Sequence, residues 1–155
     1  MAEPSASVMA RLFTDLVGRH VSFSERMSAT TSTEKQIYCV YMVKPMDSIR
    51  VIQADELLLA TFGGALIGLS SEAIKERMAD SSADEALNDA LREVMNIASR
   101  VVSLEHRAIF KSLHSSAGAL SADARSTLRD PCYSSHFDVT VEGYSGGALS
   151  LLAPV

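Results

Sequence analysis

From Leu87 to Val102 the apolar residues Leu87, Ala90, Leu91, Val94, Ala98, Val101 and Val102 recur three and four positions apart. At ~100° per residue they merge into one continuous stripe, which predicts a helix with that stripe turned to a core. The predicted helix covers 82–102 and opens on a capping box, Ser82 with Glu85 three residues later. Its other side carries Asp89, Glu93, Asn96 and Arg100. A shorter stretch with the same period, Val8, Leu12, Leu16 and Val17 before Gly18, predicts a helix over 8–17 with a glycine stop.

Other segments follow a different pattern. Residues 21–27 and 36–43 are rich in β-branched and aromatic side chains, with a Ser/Thr-rich link over 28–33 between them, and both read as strands. Pro45 closes the second, and 49–53 is a third strand that would pair with it as a hairpin. Asp55 then stands as an N-cap for an apolar helix over 57–69, in which Gly63, Gly64 and Gly68 would let another element approach closely. A charged helical turn or two covers 72–78, 104–113 continues or restarts the long helix, and the polar, small-residue segment 115–130 is a loop or broken helix. Phe137, Val139 and Val141 alternate onto one face of a strand over 137–142, 143–147 turns, and 148–152 returns as a closing hairpin. Strands at both ends with helices between them predict an α+β fold: an antiparallel sheet covered on one face by two long helices. No tandem repeat or low-complexity block divides the chain, so 1–155 is read as a single domain.

Composition narrows the function classes. At 155 residues, 47% hydrophobic and 21% charged, the chain has the balance of one folded domain, with a core resting on aliphatic side chains and seven Met in the absence of Trp. Net charge is −5 and no Lys/Arg cluster occurs, which argues against a nucleic-acid partner. The apolar run 57–69 is too short to span a bilayer, and 1–7 lacks a basic region followed by a long apolar run. No membrane insertion and a cytoplasmic location are therefore expected. Cys39 and Cys132 lie far apart and a core of this size needs no bridge, which suits a reducing compartment. Cys132 and His136 are four apart without further ligands at suitable spacing, so no metal site is expected, and His106 and His114 are expected at the surface. No Walker motif is present, and Gly63-Gly64 and Gly146-Gly147 are explained by helix packing and a turn.

The remaining chemistry lies on the polar side of the long helix. Glu93 and Asn96, three apart, are neighbours on one helical face and set a carboxylate beside a carboxamide. Polar residues are the default on a solvated helix side, but Asn is a poor helix former, at a few tenths of ~1 kcal/mol against Ala. The segment Leu91-Arg92-Glu93-Val94-Met95-Asn96-Ile97-Ala98 resembles the E-x-x-N helix of the CheX, CheC and FliY chemotaxis phosphatases. Upstream, Asp55 to Ala60 followed by Gly63-Gly64-Ala65-Leu66-Ile67-Gly68 is similar to that family's preceding helix and its glycine-containing turn, and Asp84-Glu85-Ala86-Leu87 leads into the motif at the family's distance. The likeness runs over 51–152 and is densest over 55–102.

The resemblance implies a protein aspartyl-phosphate phosphatase, a hydrolase acting on a CheY-like response regulator. Asn96 would orient the attacking water and Glu93 would dock the partner, on its active-site lysine. Asp89 and Arg100 would belong to the partner-binding face. No cofactor of the protein's own is implied, since the phosphorylated partner supplies the magnesium. Two features depart from the family. Arg100 stands where small residues or glycine usually follow the Asn, so it either obstructs a docked regulator or helps bind one. The 57–69 helix has no Asn, so the single-site CheX pattern fits better than the two-site CheC pattern, and with it comes the expectation of a homodimer. The alternative is a non-catalytic CheX-like signalling interaction module. A small-ligand sensor in the cleft between sheet and helices is a third reading, which no residue specifically supports.

Overall fold

The structure is a computed structural model and describes residues 4–27, 34–80 and 84–154. In chain order the elements are α1 (Ala6–Val17), β1 (Val21–Arg26), β2 (Gln36–Val43), β3 (Ser48–Asp55), α2 (Glu56–Leu66), α3 (Ser71–Ala79), α4 (Glu85–Val102), β4 (Ala108–His114), a 3-10 turn (Ala117–Ala119), α5 (Ala122–Arg129), β5 (Tyr133–Val141) and β6 (Gly147–Ala153). The six strands form one antiparallel sheet in the order β1-β5-β6-β3-β2-β4. The two expected hairpins, β2–β3 and β5–β6, are neighbouring pairs within it.

Alternation along the strands decides which face is covered. Ile37, Cys39 and Tyr41 of β2, Ile52 and Ala54 of β3, Phe137, Val139 and Val141 of β5, and Leu149 and Leu151 of β6 are all buried in one cluster. The helices α1, α2 and α4 lie on that face. The amphipathic α1 inserts Met9 and Phe13, with Phe13 stacked on Phe62 of α2 at 4.5 Å between ring centroids. Gly18 ends α1 in the left-handed conformation at φ 72°, the glycine stop its position predicts. On the opposite face the short α5 and the turn before it cover only part of the sheet, packing Leu120 and Ala124 on Val40 and Val51.

Several local expectations are corrected. Residues 104–113 do not extend the long helix: α4 ends at Val102, and Ala108–His114 form β4, an edge strand on β2. The segment 115–130 is the broken-helix alternative, a 3-10 turn followed by α5. Asp55 precedes α2 but makes no capping bond. Its carboxylate instead accepts hydrogen bonds from the Ala148 N–H at 2.9 Å and from Gln36 Nε2 at 2.6 Å, tying β6 and β2 to the end of β3. Ser82 and the 28–33 link lie outside the described residues. Cys39 is a buried free thiol and Cys132 an exposed one.

Candidate functional site

Helix α4 is the platform. Its N-cap is Asp84, whose side chain accepts from the Leu87 N–H at 3.0 Å, so the helix begins at Glu85, three residues after the expected start. Every member of the predicted apolar stripe is buried, and so is Met95, which that stripe omitted.

Three contacts fix the helix on α2 and the sheet. The backbone of α4 approaches α2 so closely that a Cβ on Gly63 would lie 3.0 Å from the Leu91 nitrogen and 3.2 Å from its Cα. A side chain at position 63 would crowd the point where the two helices cross, a close approach that the sequence pattern suggested. The Tyr41 hydroxyl donates to the Met95 carbonyl at 2.6 Å, holding the middle of α4 to β2. Burial pushes the Tyr41 phenol well above its usual range, with the neighbouring Cys39 a lesser cause, so this donor stays protonated. At the far end the buried Arg50 donates from Nη1 to the Val102 carbonyl at 2.7 Å. A cation there satisfies one of the last carbonyls and complements the negative end of the helix dipole.

Asp89, Glu93, Asn96 and Arg100 all lie on the exposed side of α4. The structure therefore brings together the four residues singled out from the sequence, as one solvent-facing row over three turns. Among the described residues, Glu93 and Asn96 have no hydrogen-bond or ion-pair partner. The carboxylate and the carboxamide are both presented outward on a helix whose backbone is held from below. Arg100 occupies the last turn, where its charge suits the helix dipole. Two further polar residues, Asn88 and Arg92, flank this row on the side facing β4 and line a cleft. Sequence reasoning passed over them, although Arg92 stands next to Glu93 and four residues before Asn96.

His106 is exposed beyond α4, while His114 is half-buried at the end of β4 with Nε2 2.9 Å from Ser112 Oγ. His136 lies on β5, its Nδ1 2.7 Å from Ser150 Oγ, away from α4. Among the described residues no group of His, Cys, Asp and Glu is arranged to hold a metal ion, and no helix is long and apolar enough to cross a membrane.

No protein-family model and no curated protein matches the chain. Solved structures do. A FliG–FliM complex from H. pylori contains a chain 18% identical, with a TM-score of 0.62 over 97% of this protein and 86% of that chain. FliY from Thermotoga maritima is 13% identical at a TM-score of 0.58, covering 94% and 82% of the two chains. The CheX–CheY–BeF3–Mg complex from Borrelia burgdorferi contains a chain 9% identical at 0.53, covering 94% and 92%. The likeness at these identities is one of fold, and the fold is of the CheX/CheC/FliY type. It extends across nearly the whole chain, well beyond the helix pair that carried the resemblance in sequence.

Proposed function

We propose that this protein docks a phosphorylated CheY-like response regulator on the outer face of α4 and hydrolyses its aspartyl phosphate. The observation that carries the reading is the pair Glu93 and Asn96, side by side, exposed and without a partner among the described residues, on a helix anchored at its middle and its end. An acyl phosphate is already activated, so positioning a water does most of the work. The Asn96 carboxamide can accept a hydrogen bond from the water through its oxygen and donate to a phosphoryl oxygen through its nitrogen. Attack of that water on phosphorus forms the new P–O bond. The bond to the aspartyl oxygen breaks, the regulator's carboxylate leaves, and inorganic phosphate is released. A carboxylate at position 96 would repel the phosphoryl group. Glu93, one turn away, is placed to pair with a cation of the partner, its lysine, without entering the phosphate site. Magnesium belongs to the regulator in this scheme. Asp89 and Arg100 extend the docking row, the protein works in the cytoplasm, and a homodimer is its proposed assembly, to be tested by light scattering.

The deciding experiment follows the loss of radiolabelled phosphate from a phosphorylated regulator with and without this protein. Faster loss that depends on Asn96 supports the phosphatase. A second reading is favoured by Arg100, a long cation on the docking face where the family has small residues, and by the likeness to FliM, whose structure in complex with FliG shows this fold engaged with a protein partner. In that reading the domain binds a signalling partner without hydrolysis, and regulator binding would occur with an unchanged phosphoryl lifetime.

A further inference from the structure

A cleft of about 480 Å³ opens beside the docking row, where the starts of α2 and α4 meet β2 and the end of β4. Its floor is apolar: Ile37 of β2, Ala60 of α2, Leu87 and Leu91 of α4, and Leu113 of β4. Its volume falls in the range of small-molecule sites, ~300–1,000 Å³, and an apolar floor beneath a polar rim suits an amphipathic ligand.

The polar groups on the rim are unequal. Lys35 and Glu56 pair with each other at 3.4 Å. Asp84 is engaged twice, by Arg77 at 3.2 Å and by the Leu87 N–H that it caps. Arg92 and Asn88, one turn apart on α4, and Ser115 after β4 have no side-chain hydrogen bond or ion pair among the described residues. Burial raises the Cys39 thiol, and the Arg92 charge partly offsets that rise. Among the described residues the cleft therefore presents one uncommitted cation, one carboxamide and one hydroxyl above an aliphatic floor.

We infer that this cleft binds a small amphipathic carboxylate, its anionic end held by Arg92 and Asn88 and its apolar body lying on Ile37, Leu91 and Leu113. The guanidinium fork matches a carboxylate in a bidentate arrangement, and the amide supplies a further donor. Of the acids on the rim, Glu56 and Asp84 are already paired with Lys35 and Arg77. The inference is independent of the phosphatase reading.

Octanoate and 4-phenylbutyrate are the probes, titrated by calorimetry and by amide shift mapping on the intact chain, with octanol as the uncharged analogue. Saturable binding is expected, with shifts centred on Ile37, Leu91 and Leu113. Arg92→Gln should weaken octanoate by roughly tenfold or more, the size of a charge-assisted hydrogen bond, and leave octanol unchanged. Asn88→Ala should weaken octanoate by a smaller factor. Both positions are on the solvent-facing side of α4, so both variants should fold, and an unchanged melting temperature verifies that. Arg125→Gln, on α5 across the sheet, should change nothing. Lack of saturable binding by either probe overturns the inference, and so does octanoate affinity indifferent to Arg92→Gln.

Discussion

The Tyr41 hydroxyl reaches across from the central sheet to the carbonyl of Met95, the residue immediately before Asn96. The side chain proposed to position water is thus one peptide unit from a buried tether. Tyr41→Phe keeps the ring and removes the donor, while the carbonyl retains its intrahelical bond. The expected loss is about 1 kcal/mol of unfolding free energy, read from urea denaturation with an unchanged slope. Regulator dephosphorylation should slow while regulator affinity holds, because the tether governs where Asn96 points.

The close approach of α2 and α4 gives a second prediction. The atoms facing Gly63 are Leu91 N and Cα, backbone that cannot rotate away. Gly63→Ala should therefore spread the helix pair and cost about 1–3 kcal/mol, the range for overpacking a core, despite the gain in helix propensity. A raised melting temperature would show that the two backbones have room to separate.

What could be read in the sequence depended on how cleanly a period maps to a face. The α4 stripe was legible because a solvated helix on a core must alternate every three to four residues, and the exposed row of Asp89, Glu93, Asn96 and Arg100 followed as its complement. The edge strand β4 was not. Its pairing with β2 shifts register between Val40 and Tyr41: Phe110 pairs with Tyr41, yet Ser112 pairs with Val40 and Leu113 with Cys39. Phe110 and Leu113 consequently both pack on the same core although three apart. A bulge in a strand thus mimics helical spacing, and 104–113 read as helix. Asp55 shows another limit. Its residue type suited a cap, but the β6 N–H of Ala148, 93 positions away, claims the carboxylate, and no local pattern reveals that. Arg92 was hidden for a similar reason, since the cleft it lines requires β4 to be a strand.

Stability should depend on pH through His136. Burial, and secondarily the Arg26 cation, lower its pKa from the usual value of about 6.5. The unfolded chain then binds this proton more readily than the folded one, so stability rises with pH. The contribution is fully present above about pH 6.5 and is lost as pH falls through the lowered folded value. In paired unfolding curves, the stability of the wild type relative to His136→Gln should decline from pH 7 to pH 5. A constant difference would contradict the assignment.

The exposed pair on α4 carries the strongest functional prediction. Asn96→Ala should abolish regulator dephosphorylation and leave regulator binding mostly intact, because in the proposed mechanism the carboxamide acts in the transition state. Glu93→Ala should raise the regulator concentration needed for half-maximal rate, since the proposal gives the carboxylate a role in recognition. Both side chains are solvent-facing without partners among the described residues, so each change should cost no more than about 0.5 kcal/mol of stability. This separates them from Leu91→Asp, which buries an unpaired charge between α4 and the sheet and should unfold the domain. Arg100→Gly then distinguishes the two roles of the cation on the docking face. Faster dephosphorylation would mean that Arg100 obstructs the regulator, and weaker binding would mean that it forms part of the partner surface. If Asn96→Ala and wild type leave the phosphoryl lifetime of every host regulator equally unchanged, hydrolysis is excluded, and the α4 face is the docking surface of a non-catalytic module.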